Sequence, residues 1–178
     1  MTRLSVLQYP DPRLHTVAEP VQQITPDIRR LVADMTQTMY ALDGIGLAAT
    51  QVDVHLQIIV LDVSEKGNKP QALINPTIIK MGGKAEFEEG CLSVPGVYES
   101  VRRAAWVHVR ALDLNGKTID VQAEGLKAMC IQHEMDHLQG MVFVEHLSPT
   151  NQRRILNSVS KHSRRDSSKI ISARAIVK

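Results

Sequence analysis

The sequence predicts an α+β fold, with antiparallel β-sheets around a central helix bearing an HExxH motif, and an N-terminal and a C-terminal helix. Three observations predict it. Several short β-branched segments follow one another with no helical pattern between them, which argues against a doubly wound parallel sheet. Two segments, Thr25 to Gly44 and Gly125 to Leu138, carry helical signals instead. At 178 residues the chain is long enough for one packed domain, and with 43% apolar but only 3% aromatic residues its core must be aliphatic.

The N-terminal helix is read from "TPDIRRLVADMTQTMYALDGIG", where Ile28, Leu31, Val32, Met35, Met39 and Leu42 share one face. Thr25 can cap it, Pro26 suits its first turn, and Gly44 is expected to end it. The strands are "LQIIVLDV" (56–63), "QALINPTIIKM" (71–81), "AWVHVRALDL" (105–114) and "TIDVQAE" (118–124). Turn formers such as "EKGN", "MGGK" and "LNGK" separate them. From Gly125 the pattern turns helical through Leu138, and Gly140 stops it. After Pro149 an amphipathic segment with Ile155, Leu156 and Val159 on one face runs into "SKHSRRDSSK". No internal repeat or linker divides 1–148, so that stretch is expected to be one domain. Residues 149–178 form a basic C-terminal helix or tail, either part of that domain or an appendage.

Composition excludes several classes of protein. No window approaches the ~18 uninterrupted apolar residues of a membrane span, and "MTRLSVLQYPDPRLHTVAEP" has no signal core, so a cytoplasmic protein is expected. Two cysteines, Cys91 and Cys130, are too few for a disulfide framework. Residues 151–178 carry eight Lys/Arg against one Asp, a net charge of +7, while residues 1–150 carry thirteen against eighteen, a net −5. The two parts face different partners.

The chemistry starts at "CIQHEMDHLQG", Cys130 to Gly140. Residues i and i+4 of a helix share a face, so His133 and His137 can converge on one ion, with Glu134 placed to take a proton from metal-bound water. Such an open site needs a third protein ligand. The position that supplies a third histidine in one HExxHxxG protease group is Phe143 here. No acid follows Asp166, and Glu145 lies too close to the motif to serve as a downstream glutamate. Cys130 shares the histidine stripe but sits roughly 7 Å from the ion along the helix axis, at about 1.5 Å per residue, with its Cβ pointing away. That leaves Cys91, in "EFEEGCLSVPG".

Three segments together resemble one family, peptide deformylase: "GIGLAATQ" (Gly44 to Gln51), "EGCLS" (Glu89 to Ser93) and "QHEMDHLQG" (Gln132 to Gly140). The start, "VLQYPDPRL", is similar too, so the resemblance covers roughly residues 4–147. It implies that Cys91, His133 and His137 hold a divalent metal, with water in the fourth position and Glu134 as general acid/base. Gln51 and the backbone N–H of Leu92 would bind the developing oxyanion. Gly46 would hydrogen-bond substrate through its backbone, and Ile45 and Glu89 would border the pocket for the substrate's first side chain. The implied reaction is removal of the formyl group from formylmethionine at the start of nascent chains, releasing formate.

The resemblance further implies ferrous iron (Fe2+), with nickel, cobalt or zinc as substitutes, whereas a thiolate with two imidazoles suits zinc on coordination grounds. The +7 segment is either a solvated helix face or a ribosome-binding element acting through phosphate contacts. A monomer is expected, with no membrane partner. Two rivals stay open: an HExxH endopeptidase, and a non-catalytic ribosome-binding module with a structural metal. "GIGLAA" lacks the βαβ frame of a dinucleotide loop, and Ser93 lacks a nucleophile elbow and is read as a packing or local hydrogen-bonding residue. Asp136 is expected to pair with Arg102 or Arg103. His15, His55, His108, His146 and His162 are read as ordinary residues.

Overall fold

A computed structural model describes residues 3–159 of the chain. In order these form α1 (Pro26–Ala41), β1 (Gly46–Ala48), β2 (Ile58–Leu61), β3 (Gln71–Gly82), β4 (Ala85–Cys91), β5 (Val94–Arg103), β6 (Trp106–Leu112), β7 (Thr118–Glu124) and α2 (Gly125–Leu138). The chain divides into two units, Met1–Phe143 and Val144–Lys178.

The antiparallel sheet β1-β2-β3-β6-β7 has a helix on each side. β2 shows why its sequence reads as an unbroken apolar run. Ile58 and Val60 join the core of Val32, Met35 and Met39 from α1, while Ile59 and Leu61 join Ala128, Ile131 and Leu138 from α2. A strand covered on both faces has no polar position to alternate with. The same burial makes α2 the centre of the unit: nine of its fourteen residues are buried, including His133, Glu134 and His137.

Local signals explain both helices. The Thr25 hydroxyl accepts from the Ile28 N–H at 3.4 Å with Pro26 in the first turn. At the other end it is Asp43, at φ 54°, that turns left-handed, while the Gly44 N–H reaches the Met39 carbonyl at 2.9 Å. Gly44 is required by proximity instead, since a Cβ there would lie 2.7 Å from Leu92 Cδ1. After α2, Gly140 adopts φ 73°, as a helix-ending glycine should. The Gln132 amide ties α2 to the segment entering β6, accepting from the Ala104 N–H at 3.0 Å and donating to the Ala104 carbonyl at 3.0 Å.

β4 and β5 pair as a separate two-stranded sheet, and neither they nor β1 were expected from the sequence. In the second unit, residues 149–159 are helical and Ser148 Oγ accepts from the Asn151 N–H. Ile155 is buried there, but Leu156 is 38% exposed and does not share its face. Residues 160–178, with six of the eight cations of the basic segment, lie outside the described residues. Among the described residues, no helix is long and apolar enough to cross a membrane.

Candidate functional site

α2 sets His133 and His137 one turn apart, edge to face, with ring centroids 5.1 Å from each other. The third group arrives from β4. Its register with β5 slips between Gly90 and Cys91, and the irregularity places Cys91 Sγ 3.2 Å from His137 Nε2. One ligand atom from each of Cys91, His133 and His137 lies within 4.8 Å of the others, the one such cluster among the described residues. Cys130 stands apart, its thiol donating to the Ile45 carbonyl at 3.5 Å.

This donor set fits a divalent transition ion: a thiolate and two imidazoles are the ligands such ions take. Burial alone would raise the Cys91 thiol, but the charge of His137 and hydrogen bonds from both histidines outweigh it and bring the pKa down to about 5. Glu134 moves the other way. Burial, reinforced by the negative Cys91 and Glu89 against the opposing histidines, lifts its carboxyl to about 7. Its Oε2 is buried with no hydrogen-bond partner among the described residues, which leaves it available to a polar group at the centre.

Glu89 is not at the pocket border. Its carboxylate is fully buried and turned away, accepting from His133 Nδ1 at 2.8 Å and from Arg103 Nε and Nη2 at 2.7 and 2.9 Å, while its neighbours Glu88 and Gly90 line the cavity. Burial would raise its pKa, and the Arg103 and His133 bonds overcome this and lower it. The Glu89 bond to Nδ1 fixes the ring so that Nε2 faces the centre, an arrangement typical of ligand histidines. Of the two arginines available to Asp136, Arg103 is its partner. Replacing Arg103 by leucine would strand Glu89 and Asp136 without their cation. The expected result is a loss of about 3–5 kcal/mol of stability and about 10- to 100-fold weaker metal binding, read by chemical denaturation and chelator competition. Unchanged values in both would contradict the chain of contacts.

Beside these groups lies a cavity of 1010 Å³, lined by Ile45, Gly46, Gln51, Leu92, Leu126, Cys130 and Glu134 among others. Gly46 lies close against α2: a Cβ there would meet Glu134 Oε1 at 2.3 Å and Cys130 Sγ at 2.8 Å. Gly46→Ala is therefore expected to displace Glu134 and lower kcat/KM by more than about 10-fold, with a modest drop in melting temperature. Parental kinetics would show that the crowding can be relieved elsewhere. Gln51 is 1% exposed; its Oε1 accepts from the Ala48 N–H at 2.8 Å, and its Nε2 points to Ser93 Oγ at 3.1 Å and Cys91 Sγ at 3.5 Å. Leu92 lines the same cavity, its carbonyl accepting from Gln8 Nε2.

Sequence reasoning missed the link from Arg103 through Glu89 to His133. Strand alternation carries only part of that signal: along β5 Val101 and Arg103 point inward and Arg102 points out to Glu86, which turns Arg103 inward without showing that it meets Glu89.

Comparison with known proteins points to one family. The family model described as polypeptide deformylase matches residues 3–153. A peptide deformylase of Nitrosomonas europaea is 58% identical over 165 residues, covering 93% of this chain and 89% of that protein. One from Neisseria gonorrhoeae is 53% identical, covering 92% and 98%. Among solved structures, a peptide deformylase from Legionella pneumophila matches with a TM-score of 0.88 at 41% identity, over 93% of this chain and 98% of that one. A peptide deformylase from Ehrlichia chaffeensis in complex with actinonin matches with a TM-score of 0.89 at 40% identity, over 92% and 99%.

Proposed function

Because this chain belongs to the peptide deformylase family, we infer that its Cys91, His133 and His137 hold the divalent metal on which the family's hydrolysis depends. The protein removes the N-formyl group from newly made polypeptides, releasing formate. What supports this assignment of ligands is one observation, the convergence of the three side chains beside buried Glu134.

A divalent ion in such a donor set lowers the pKa of water from about 15.7 to about 7 and polarises the formyl carbonyl. Glu134 accepts the proton of the attacking water on its carboxylate and returns it to the departing nitrogen, so the chain leaves as a neutral amine. Gln51 Nε2 and the Leu92 N–H donate to the oxyanion that develops on the formyl oxygen, each worth about 3 kcal/mol. Ile45 and Gly46 border the pocket for the first side chain, and their aliphatic surroundings suit unbranched methionine. Formate release from formyl-Met-Ala-Ser with no cleavage of internal peptide bonds is the expected result. Internal cleavage with the formyl group left in place would favour an endopeptidase.

Ferrous iron is the proposed native ion, on the family resemblance, although the affinity order alone favours zinc. Iron held by a thiolate is sensitive to oxygen. Enzyme purified with iron is therefore expected to lose activity in air while nickel-loaded enzyme keeps it, and identical decay would count against iron. The protein is further proposed to act as a monomer in the cytoplasm, close to the ribosome, its basic segment 151–178 contacting ribosomal RNA phosphates. Less pelleting with ribosomes at low salt after truncation following Thr150 would support that contact. Equal pelleting would end it.

A further inference from the structure

We propose that Ser93 is a positioning residue for the reaction: its hydroxyl takes one N–H of the Gln51 amide and thereby aims the other at the reacting centre. The inference rests on the reading of Gln51 as an oxyanion donor and adds what orients that donor. Gln51 is 1% exposed and Ser93 is 0% exposed, so neither can exchange its partner for bulk water. The Ala48 N–H donates to Gln51 Oε1 at 2.8 Å, which settles which end of the amide carries nitrogen. Nε2 has two hydrogens to place. One meets Ser93 Oγ at 3.1 Å, and the other is directed toward Cys91 Sγ at 3.5 Å, at the centre itself.

Ser93 is in turn held on both sides, its N–H donating to Cys91 Sγ at 3.4 Å and its carbonyl accepting from the Tyr9 N–H at 2.8 Å. One residue thus braces both the thiol ligand and the oxyanion donor. The last torsion of a glutamine side chain is broad, so an amide held only by Ala48 can swing its N–H away from the oxyanion. Without Oγ, a buried donor would also lack an acceptor, a second pressure toward rotation.

Ser93→Ala is expected to lower kcat on formyl-Met-Ala-Ser by about 10- to 100-fold with KM within about twofold. Affinity for a non-hydrolysable phosphonate analogue of the tetrahedral intermediate, read by calorimetry, should fall by a similar factor, while affinity for the product Met-Ala-Ser stays unchanged. Ser93→Thr, which keeps the hydroxyl, should recover most of the loss. In a Gln51→Leu background the Ser93→Ala change should cause no further loss, because both act on one donor. A parental kcat in Ser93→Ala, an equal loss in Ser93→Thr, or a full additional loss in the Gln51→Leu background would each overturn the inference. A parental kcat in Gln51→Leu would overturn the reading of Gln51 itself and the inference with it, whereas a large loss there with none in Ser93→Ala sinks the Ser93 inference alone.

Discussion

Glu134→Gln is expected to lower kcat for formate release by about 10²- to 10⁴-fold while leaving metal content and fold intact. Glutamine matches glutamate in size, so the buried position between the histidines and Gly46 stays filled, but the side chain can no longer take a proton from water or return it to the amine. The pH profile follows from the same carboxyl. The base must be ionised to act, so kcat/KM should rise with pH and level off once Glu134 is deprotonated. Burial first, then the negative Cys91 and Glu89, lift that carboxyl to about 7. A cation bound at His133 and His137 pulls it down, so the midpoint of the acid limb should lie at or below about 7. A Glu134→Gln enzyme with full metal content and kcat within tenfold of the parent would remove Glu134 from the mechanism.

Cys91→Ala should be as damaging, through a different quantity. His133 and His137 lie on one helix, and Cys91 is the proposed ligand that arrives from another element. With its pKa near 5 the sulfur is a thiolate at neutral pH and supplies negative charge to the ion. Alanine removes both the third bond and that charge. Catalytic sites of this kind use three protein ligands and leave one position for water, so a site reduced to two histidines is expected to release its ion on dialysis. Activity goes with it. Stability is affected less directly, because Cys91 is only partly buried and its neighbour Ser93 keeps its bond to Gln51.

The sequence made some elements legible because their signals are local. α1 announces itself through Thr25, Pro26 and the apolar spacing of its inner face, and α2 through Gly125, its motif and Gly140. β2, β3, β6 and β7 show as β-branched runs between turn formers. β4 and β5 did not show, and the reason is physical. Their inward positions include Glu89 and Arg103, which neutralise each other, so a search for alternating apolar residues has little to follow. The candidate ligand set could be proposed from reach along a helix and from the lack of a suitably spaced downstream acid, without knowing that Cys91 ends a strand. The support for His133 could not. That Glu89 turns inward to the ring and away from the cavity depends on the path of a hairpin, which brings back an arginine fourteen residues beyond Glu89 on the paired strand. Leu156 failed for a simpler reason: it lies about 100° around the helix from Ile155, on a side that is left exposed.

The most direct measurement is metal stoichiometry on Cys91→Ala and the parent, purified side by side without oxygen, together with formate release from formyl-Met-Ala-Ser. The parent should carry close to one ion per chain and release formate; Cys91→Ala should carry almost none after dialysis and be inactive, with its fold preserved by circular dichroism. A Cys91→Ala protein that retains its ion and deformylates at the parental rate would contradict the three-ligand centre on which the proposed mechanism stands.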